Sequence, residues 1–255
     1  MVSVVILSKE FISESLIHQL ANQTHQDFEI LLATEKGIVN AMNKALERAK
    51  GDIFVRIDDD VELPPRWLEQ LVKPFSDPEV AGVTGPTFIA KERRKYRDSI
   101  RIAENPNWFL NWLFDCEPYA TAKIYKCGSV SYGSNFAEKM TPSTEADHLE
   151  GTNWAMRTDL IRKVGGFDPS FDGVCEWYDT DVEKKIKKLG YKLVYRRRAY
   201  LWHNVEIGEH YSERFEGWSR LKNWLRFHKR HSKFHYKMII WFTMMTGYLV
   251  CKQYR

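Results

Sequence analysis

Ile53-Phe54-Val55-Arg56-Ile57, followed at once by Asp58-Asp59-Asp60, is the stretch on which the fold turns. Five residues dominated by β-branched and aromatic side chains read as a strand, and three acids in a row end it. Pro64-Pro65 then opens a helix carrying Trp67, Leu68, Leu71, Val72 and Phe75, because proline is preorganised for a first helical turn. The same alternation occurs twice upstream. Val2 to Leu7 is a β-branched run that stops at Ser8-Lys9-Glu10, and Ser13 can cap a helix with Leu16, Ile17, Leu20 and Ala21 on one face. Phe28 to Leu32 reads as the next buried strand, and Ile38, Met42, Ala45, Leu46 and Ala49 recur at helical spacing before Lys50-Gly51-Asp52. Alternating strands and helices predict an α/β domain with a mostly parallel central sheet covered by helices. Such sheets bind ligands beyond the carboxyl ends of their strands, and the three aspartates stand at one of those ends.

At 255 residues and 44% hydrophobic content, the chain can bury one substantial core. The net charge of +4 is modest and the basic residues are spread along most of the chain, which speaks against a general nucleic-acid binder. Cys116, Cys127, Cys175 and Cys251 form no CxxC pair, so a zinc ribbon, a redox motif and a disulfide framework are not expected and a reducing compartment is. The apolar run after Met1 has no basic leader and no small-residue cleavage site, so it reads as a strand rather than a signal peptide and the active domain is expected to face the cytoplasm. Lys91 to Ala146 follows no clear period. Order returns with Gly151-Thr152-Asn153-Trp154-Ala155-Met156-Arg157 and Gly165-Gly166-Phe167-Asp168, then a helix with Val182, Ile186 and Leu189 ending at Gly190, then a strand from Lys192 to Tyr195. No repeat and no Gly/Ser or Pro linker divides the chain before about Glu209.

Side-by-side carboxylates at a strand end repel unless a cation or solvent offsets them, and hard oxygen ligands suit Mg2+ or Mn2+. A solvated turn, or an acidic start to the helix after Pro64, accounts for them equally well on composition alone.

The order of motifs weighs on the first reading. Val2-Ser3-Val4-Val5-Ile6, then Asn22-Gln23-Thr24 with Asp27-Phe28-Glu29-Ile30, then Gly37, Asn43, Ala49, Gly51 and Asp52 lead to Asp58-Asp59-Asp60 with Pro65, Trp67 and Leu68. Gly151, Asn153, Arg157, Gly165-Gly166-Phe167-Asp168, Asp179, Asp181, Gly190-Tyr191 and His203 complete the series. From Val2 to about His203 the chain resembles the inverting glycosyltransferases of family 2. The resemblance implies a GT-A fold, Rossmann-like, with a catalytic domain over residues 1–210: a nucleotide-sugar half to about 90 and an acceptor half from about 91. It further implies a nucleoside diphosphate sugar donor and metal ligands at the D-x-D place, Asp58 and Asp60, joined by His203, for Mn2+ or Mg2+. Donor contacts fall on Ser8, Glu10, Glu35, Asn43, Asp58 and Asp59. The acceptor and sugar pocket falls on Asn153, Trp154 and Asp181, and the aligned general base is Asp179, with Glu176 in reserve. Two departures stand out. Leu31-Leu32 runs into Ala33-Thr34-Glu35-Lys36, where the family usually carries aspartates that hold the nucleobase, and the family's Glu-Asp pair appears as Tyr178-Asp179 with Glu176 displaced by two residues.

Blander readings stand beside these. Asp179 and Asp181 can simply cap a helix, His203 can be a partly buried histidine beside Trp202, and Asn153 and Arg157 can shape a helix entry. An inverting glycoside hydrolase with Asp60 and Asp179 as its carboxylates, or a sugar-binding module without turnover, are the rival functions. The region 211–255 forms a basic, aromatic, helical tail: Trp218, Leu221, Trp224, Leu225 and Phe227 among Arg220, Lys222, Arg226, Lys229, Arg230, Lys233 and Lys237, then an apolar run from Met238 to Cys251. That composition suits an amphipathic interfacial helix on an anionic membrane surface, hence a peripheral protein on the cytoplasmic face with a glycan or lipid-linked acceptor. The apolar run is short against the roughly 20 residues needed to span a bilayer. Packing on the catalytic domain, or on a second subunit in a homo-oligomer, is the alternative for the tail.

Overall fold

A computed structural model describes residues 1–8, 12–96, 107–117, 119–171, 173, 176–205 and 217–253. Strands β1 (Val2–Leu7), β2 (Phe28–Ala33) and β3 (Ile53–Asp58) alternate with helices α1 (Glu14–Ala21) and α2 (Ile38–Arg48), as the periodicity predicts. Ser13 caps α1 by accepting the Leu16 backbone N–H at 3.2 Å. After β3 come β4 (Val61–Glu62), α3 (Trp67–Val72), β5 (Val80–Thr84) and β6 (Thr87–Phe88). The aperiodic stretch holds helix α4 (Trp108–Phe114), short 3-10 turns and β7 (Thr144–Glu145). Then follow β8 (Asn153–Arg157), α5 (Thr158–Lys163), α6 (Tyr178–Lys188), β9 (Lys192–Tyr195), β10 (Leu201–His203), α7 (Gly217–His231) and α8 (Tyr236–Gln253).

The main sheet has the order β2-β1-β3-β8-β5-β9-β7. β1 pairs in parallel with β2 and β3, and β5 with β9, whereas β8 lies antiparallel between β3 and β5 and β7 antiparallel on β9. Five of the seven strands thus point one way, and β8 is inserted against them. That insertion matters for the site: Ile57 faces Asn153 across the β3–β8 ladder, so the start of β8 meets the end of β3. A second small sheet, β4-β10-β6, sets His203 opposite Val61 in antiparallel register.

One apolar core lies on each side of the sheet. Phe54, Trp154 and Phe167 meet α2 and α6 on one side, and Val4, Ile6, Leu16, Leu20, Trp67 and Leu71 close the other. Two sequence expectations need correction. β2 is an edge strand, leaving Ile30 41% and Leu32 37% exposed rather than buried, and Ile17 turns outward on α1. Periodicity identifies a strand but says nothing about how many neighbours it will have.

The C-terminal segment divides. α7 buries Trp224 and Phe227, Phe227 joins the core under α6, and its ring stacks on Trp177 at 4.5 Å. α8 then stacks Trp241 on Trp224 at 4.9 Å. The inner face of α7 therefore packs on the catalytic unit. Among the described residues no helix is long and apolar enough to cross a membrane. The fold also brings together two cysteines that the sequence separates: Cys116 and Cys127 are free thiols that lie near each other.

Candidate active site

The carboxyl ends of β1, β2 and β3 lie in register, with Leu7 beside both Ala33 and Asp58, so Ser8, Glu35 and the three aspartates share one sheet edge. Asp58 leaves the strand held from two sides: Arg56 Nη2 donates to Oδ1 at 2.5 Å and the Thr152 hydroxyl donates to Oδ2 at 2.8 Å. Thr152 reaches Asp58 because β8 begins there. His203, almost fully buried on β10, sets Nε2 3.1 Å from Asp60 Oδ1 and 3.9 Å from Asp58 Oδ2. The Asn204 backbone N–H donates to the Asp60 carbonyl at 2.8 Å and ties the strand to the acidic turn. One ligand atom each from Asp58, Asp60 and His203 lies within 4.8 Å of the others. Two carboxylates and an imidazole fit a Mn2+- or Mg2+-class ion, the nitrogen favouring the softer of the two. Asp59 stands apart from this trio; burial raises its pKa, with Asp60 and Asp58 adding like-charge repulsion against a hydrogen bond from Ser8. His203→Ala is expected to weaken Mn2+ binding about 10- to 100-fold in a metal titration, and an unchanged affinity in the folded variant removes His203 from the ligand set.

Asp179 sits in the first turn of α6, whose entry residue Trp177 takes a left-handed backbone with φ 75°. Such a conformation is costly for a bulky residue and is held here by the Phe227 stack. A Cβ on Gly151 would lie 3.7 Å from Arg56 Nη1 and 3.8 Å from Asp179 Oδ2, so guanidinium and carboxylate face the same bare glycine. Burial lifts the Asp179 carboxyl above its ordinary range, while Arg56 and the Thr180 backbone N–H, 2.8 Å from Oδ1, pull it back. Burial likewise works against the Arg56 cation, but Asp58, Tyr178, Asp179 and Asp60 together hold it charged. Beside them the buried Glu150 carboxyl is pushed up to about 7, chiefly by burial and further by Asp179. Arg56, Thr152 and Glu150 escaped the sequence reading. The one signal was Arg56 itself, a cation inside an apolar strand directly before three acids.

Several other expected site residues have side chains engaged within the fold. Asn153 is fully buried, accepting from Trp67 Nε1 at 2.9 Å and donating to the Pro86 and Ala199 carbonyls, and Trp154 is buried against Phe54. Neither has surface to offer an acceptor. Asn43 brackets Phe167, donating to its carbonyl at 2.7 Å and accepting from its N–H at 3.0 Å, which anchors the Gly165-Gly166 turn to α2. Arg157 holds the carbonyls of Val80, Phe75 and Asp77 at the opposite end of β8. Asp181 is spent on α7 and its own helix: Oδ1 meets His231 at 2.7 Å and Arg230 at 3.3 Å, and Oδ2 meets Lys185 at 2.7 Å. Burial works against the Asp181 charge, yet those partners hold its pKa down to about 2. Glu176 pairs with Arg220 on the surface at 2.9 Å. The N-cap position of α6 is Trp177, which makes no side-chain cap hydrogen bond, and Asp179 accepts the Thr180 N–H from within the first turn. Glu35 accepts from the Thr34 N–H at 3.1 Å and lies 3.5 Å from Arg48. Glu10 lies outside the described residues.

The family model for glycosyl transferase family 2 matches residues 12–165. The chain belongs to that family. As a family 2 glycosyltransferase it has relatives of known activity, among them the glucosyl-dolichyl phosphate glucuronosyltransferase of Haloferax volcanii, 24% identical over 178 residues. That match takes in 67% of this chain but only 48% of the relative, so the chain spans about half the relative's length. Among solved structures, a mannosyltransferase of Pyrobaculum calidifontis in complex with GDP-Man and Mn2+ superposes with a TM-score of 0.54 at 16% identity, over 97% of this chain and 69% of that one. GalNAc-T7 with UDP, GalNAc and Mn2+ superposes with a TM-score of 0.59 at 14% identity, over 89% of this chain and 47% of that one. Identities this low establish the shared GT-A fold.

Proposed function

We propose that this glycosyltransferase moves a sugar from a nucleoside diphosphate to an acceptor hydroxyl with inversion at the anomeric carbon. The carrying observation is the Asp58, Asp60 and His203 cluster at the carboxyl end of β3, with Arg56 reaching from Asp58 toward the glycine that Asp179 also faces. A divalent ion bound by that trio supplies a Lewis acid for the charge that develops on the leaving diphosphate. Arg56 and Thr152 fix the Asp58 carboxylate in position. Asp179 takes the acceptor proton as the hydroxyl oxygen bonds to the anomeric carbon and the nucleoside diphosphate departs with the electron pair of the broken bond. Gly151 lies between Arg56 and Asp179, and a Cβ there would touch both at ordinary contact distance, 3.7 and 3.8 Å.

The solved relatives carry GDP-Man in one case and UDP with GalNAc in the other, so the base is left to experiment. The glucosyl-dolichyl phosphate of the curated relative supports a lipid-linked acceptor, and the basic, aromatic C-terminal helices support peripheral attachment to a membrane surface. Attachment at the cytoplasmic face agrees with the free thiols of Cys116 and Cys127. A panel of nucleotide sugars tests this reading. One donor, with Mn2+ or Mg2+ present, is expected to raise the unfolding temperature by several degrees, since ligand at a hundred times Kd adds about 2.7 kcal/mol. If no nucleotide sugar stabilises the protein with either ion, the donor assignment is wrong.

A further inference from the structure

Helix α4 leaves three large aromatic side chains in water: Trp108 is 79% exposed, Phe109 48% and Trp112 69%. Their rings lie against one another, with centroids 5.9 and 6.0 Å apart, so they form one patch rather than scattered surface residues. A contiguous apolar patch of this kind on an otherwise polar surface marks a contact. It is joined to the C-terminal helices. Asp115, the C-cap of α4, takes Lys237 of α8 at 2.7 Å and Lys126 at 3.6 Å on the same carboxylate oxygen.

The neighbouring helices have the same character. The outer face of α7 alternates Trp218, Lys222, Leu225 and Lys229 at helical spacing, all exposed, while α8 shows Tyr236, Ile239 and Tyr248. Residues 217–253 hold eight Lys and Arg and no Asp or Glu. Among the described residues, Lys222, Lys229 and Lys233 have no ion pair or hydrogen bond through their ammonium groups. A cleft of about 390 Å3 opens beside the junction, lined by Lys126, Lys184, Lys233 and His235 and by a single acid, Asp147. Aromatic side chains at headgroup depth beside unpaired cations match an anionic lipid surface. A second copy of the chain is a poorer occupant, because a two-fold contact through this face would set its cations against their own copies.

We propose that α4 and the α7–α8 pair form one face that rests on an anionic phospholipid surface, with Trp108, Phe109 and Trp112 entering the headgroup boundary and Lys222, Lys229 and Lys233 meeting lipid phosphates. This rests on the peripheral attachment proposed above and adds to it an anchor far from the C-terminal helices in sequence. The full chain is tested by co-sedimentation with phosphatidylcholine vesicles carrying no anionic lipid or about 30% phosphatidylserine. Wild type is expected to bind only the anionic vesicles, and Trp108→Ser/Trp112→Ser to bind them about tenfold or more weakly, with unchanged thermal unfolding and donor-dependent stabilisation. Lys229→Glu/Lys233→Glu is expected to weaken binding as well. Wild-type binding by the folded double-tryptophan variant overturns the role of α4; if the lysine variant still loses binding, attachment through the C-terminal helices survives on its own. If neither variant changes binding, both readings fall. A wild type that dimerises, with a monomeric tryptophan variant that binds vesicles normally, makes the face a subunit interface and overturns the proposal.

Discussion

Asp60→Ala is expected to lower sugar transfer by on the order of 10²- to 10³-fold and to abolish metal-dependent stabilisation by the donor. Asp60 is the carboxylate closest to His203, at 3.1 Å. Removing it leaves one carboxylate, already engaged by Arg56 and Thr152, and one imidazole. Two ligands of that kind hold a hard divalent ion poorly, so the loss should exceed that of His203→Ala, which removes a neutral ligand. Mn2+ affinity, measured by titration with and without nucleoside diphosphate, separates a metal effect from a folding effect. A folded Asp60→Ala protein with near-normal turnover and Mn2+ affinity means the trio is not the metal site.

The parts of this fold that were legible in the sequence are those decided locally. β1 ends where its β-branched run ends, β9 occupies the Lys192 to Tyr195 stretch read as a strand, and Ser13 caps α1 because a short hydroxyl side chain can reach the free N–H groups of a first turn. What depends on distant partners was not legible. The residues of β8 appear in sequence only as an ordered motif after Gly151; their antiparallel place between β3 and β5 comes from pairing with residues far away in the chain, and it is the pairing with β3 that delivers Thr152 to Asp58. The edge position of β2 is equally non-local. Among its described residues, Lys91 to Ala146 forms short turns and the short helix α4, whose Trp108, Phe109 and Trp112 face outward, not inward, so no helical or strand period marks it.

The site divides the same way. Asp58, Asp60 and His203 were readable as a set through the family resemblance, since their residue types alone also fit a solvated turn and a partly buried histidine, and the structure brings one ligand atom of each within 4.8 Å of the others. Asn43, Asn153 and Asp181 also stand in the motif series, yet their side chains are consumed by internal bonds to Phe167, to Trp67 and two carbonyls, and to α7. A buried polar side chain satisfied from within and one waiting for a ligand look alike in sequence; only the partner count separates them. Arg56 is the converse case, a residue outside the motif series that lies between both carboxylate groups of the site.

Asp179→Asn is expected to reduce transfer by about 10²- to 10⁴-fold while leaving donor and metal binding intact, since the amide keeps the shape and loses the basicity. The pH profile carries a second mark. Burial holds the Asp179 carboxyl above its ordinary range, and a base works only when deprotonated, so kcat/KM should fall as pH drops through that raised value and level off above it. In the asparagine variant this acid limb should vanish from whatever activity survives. Two other acids provide the control. Glu176, paired with Arg220 at the surface, should tolerate Glu176→Gln with near wild-type rates. Glu150 is the more serious competitor: it is buried, its pKa is near 7, and it senses Asp179 directly. Below about pH 7 Glu150 keeps its proton, so Glu150→Gln preserves the neutral state beside Asp179; the acid limb should stay in place and transfer should fall less than about tenfold. Should Asp179→Asn instead keep its rate while Glu150→Gln loses it, the proton acceptor is Glu150, and Asp179 serves only to balance Arg56 across the Gly151 gap.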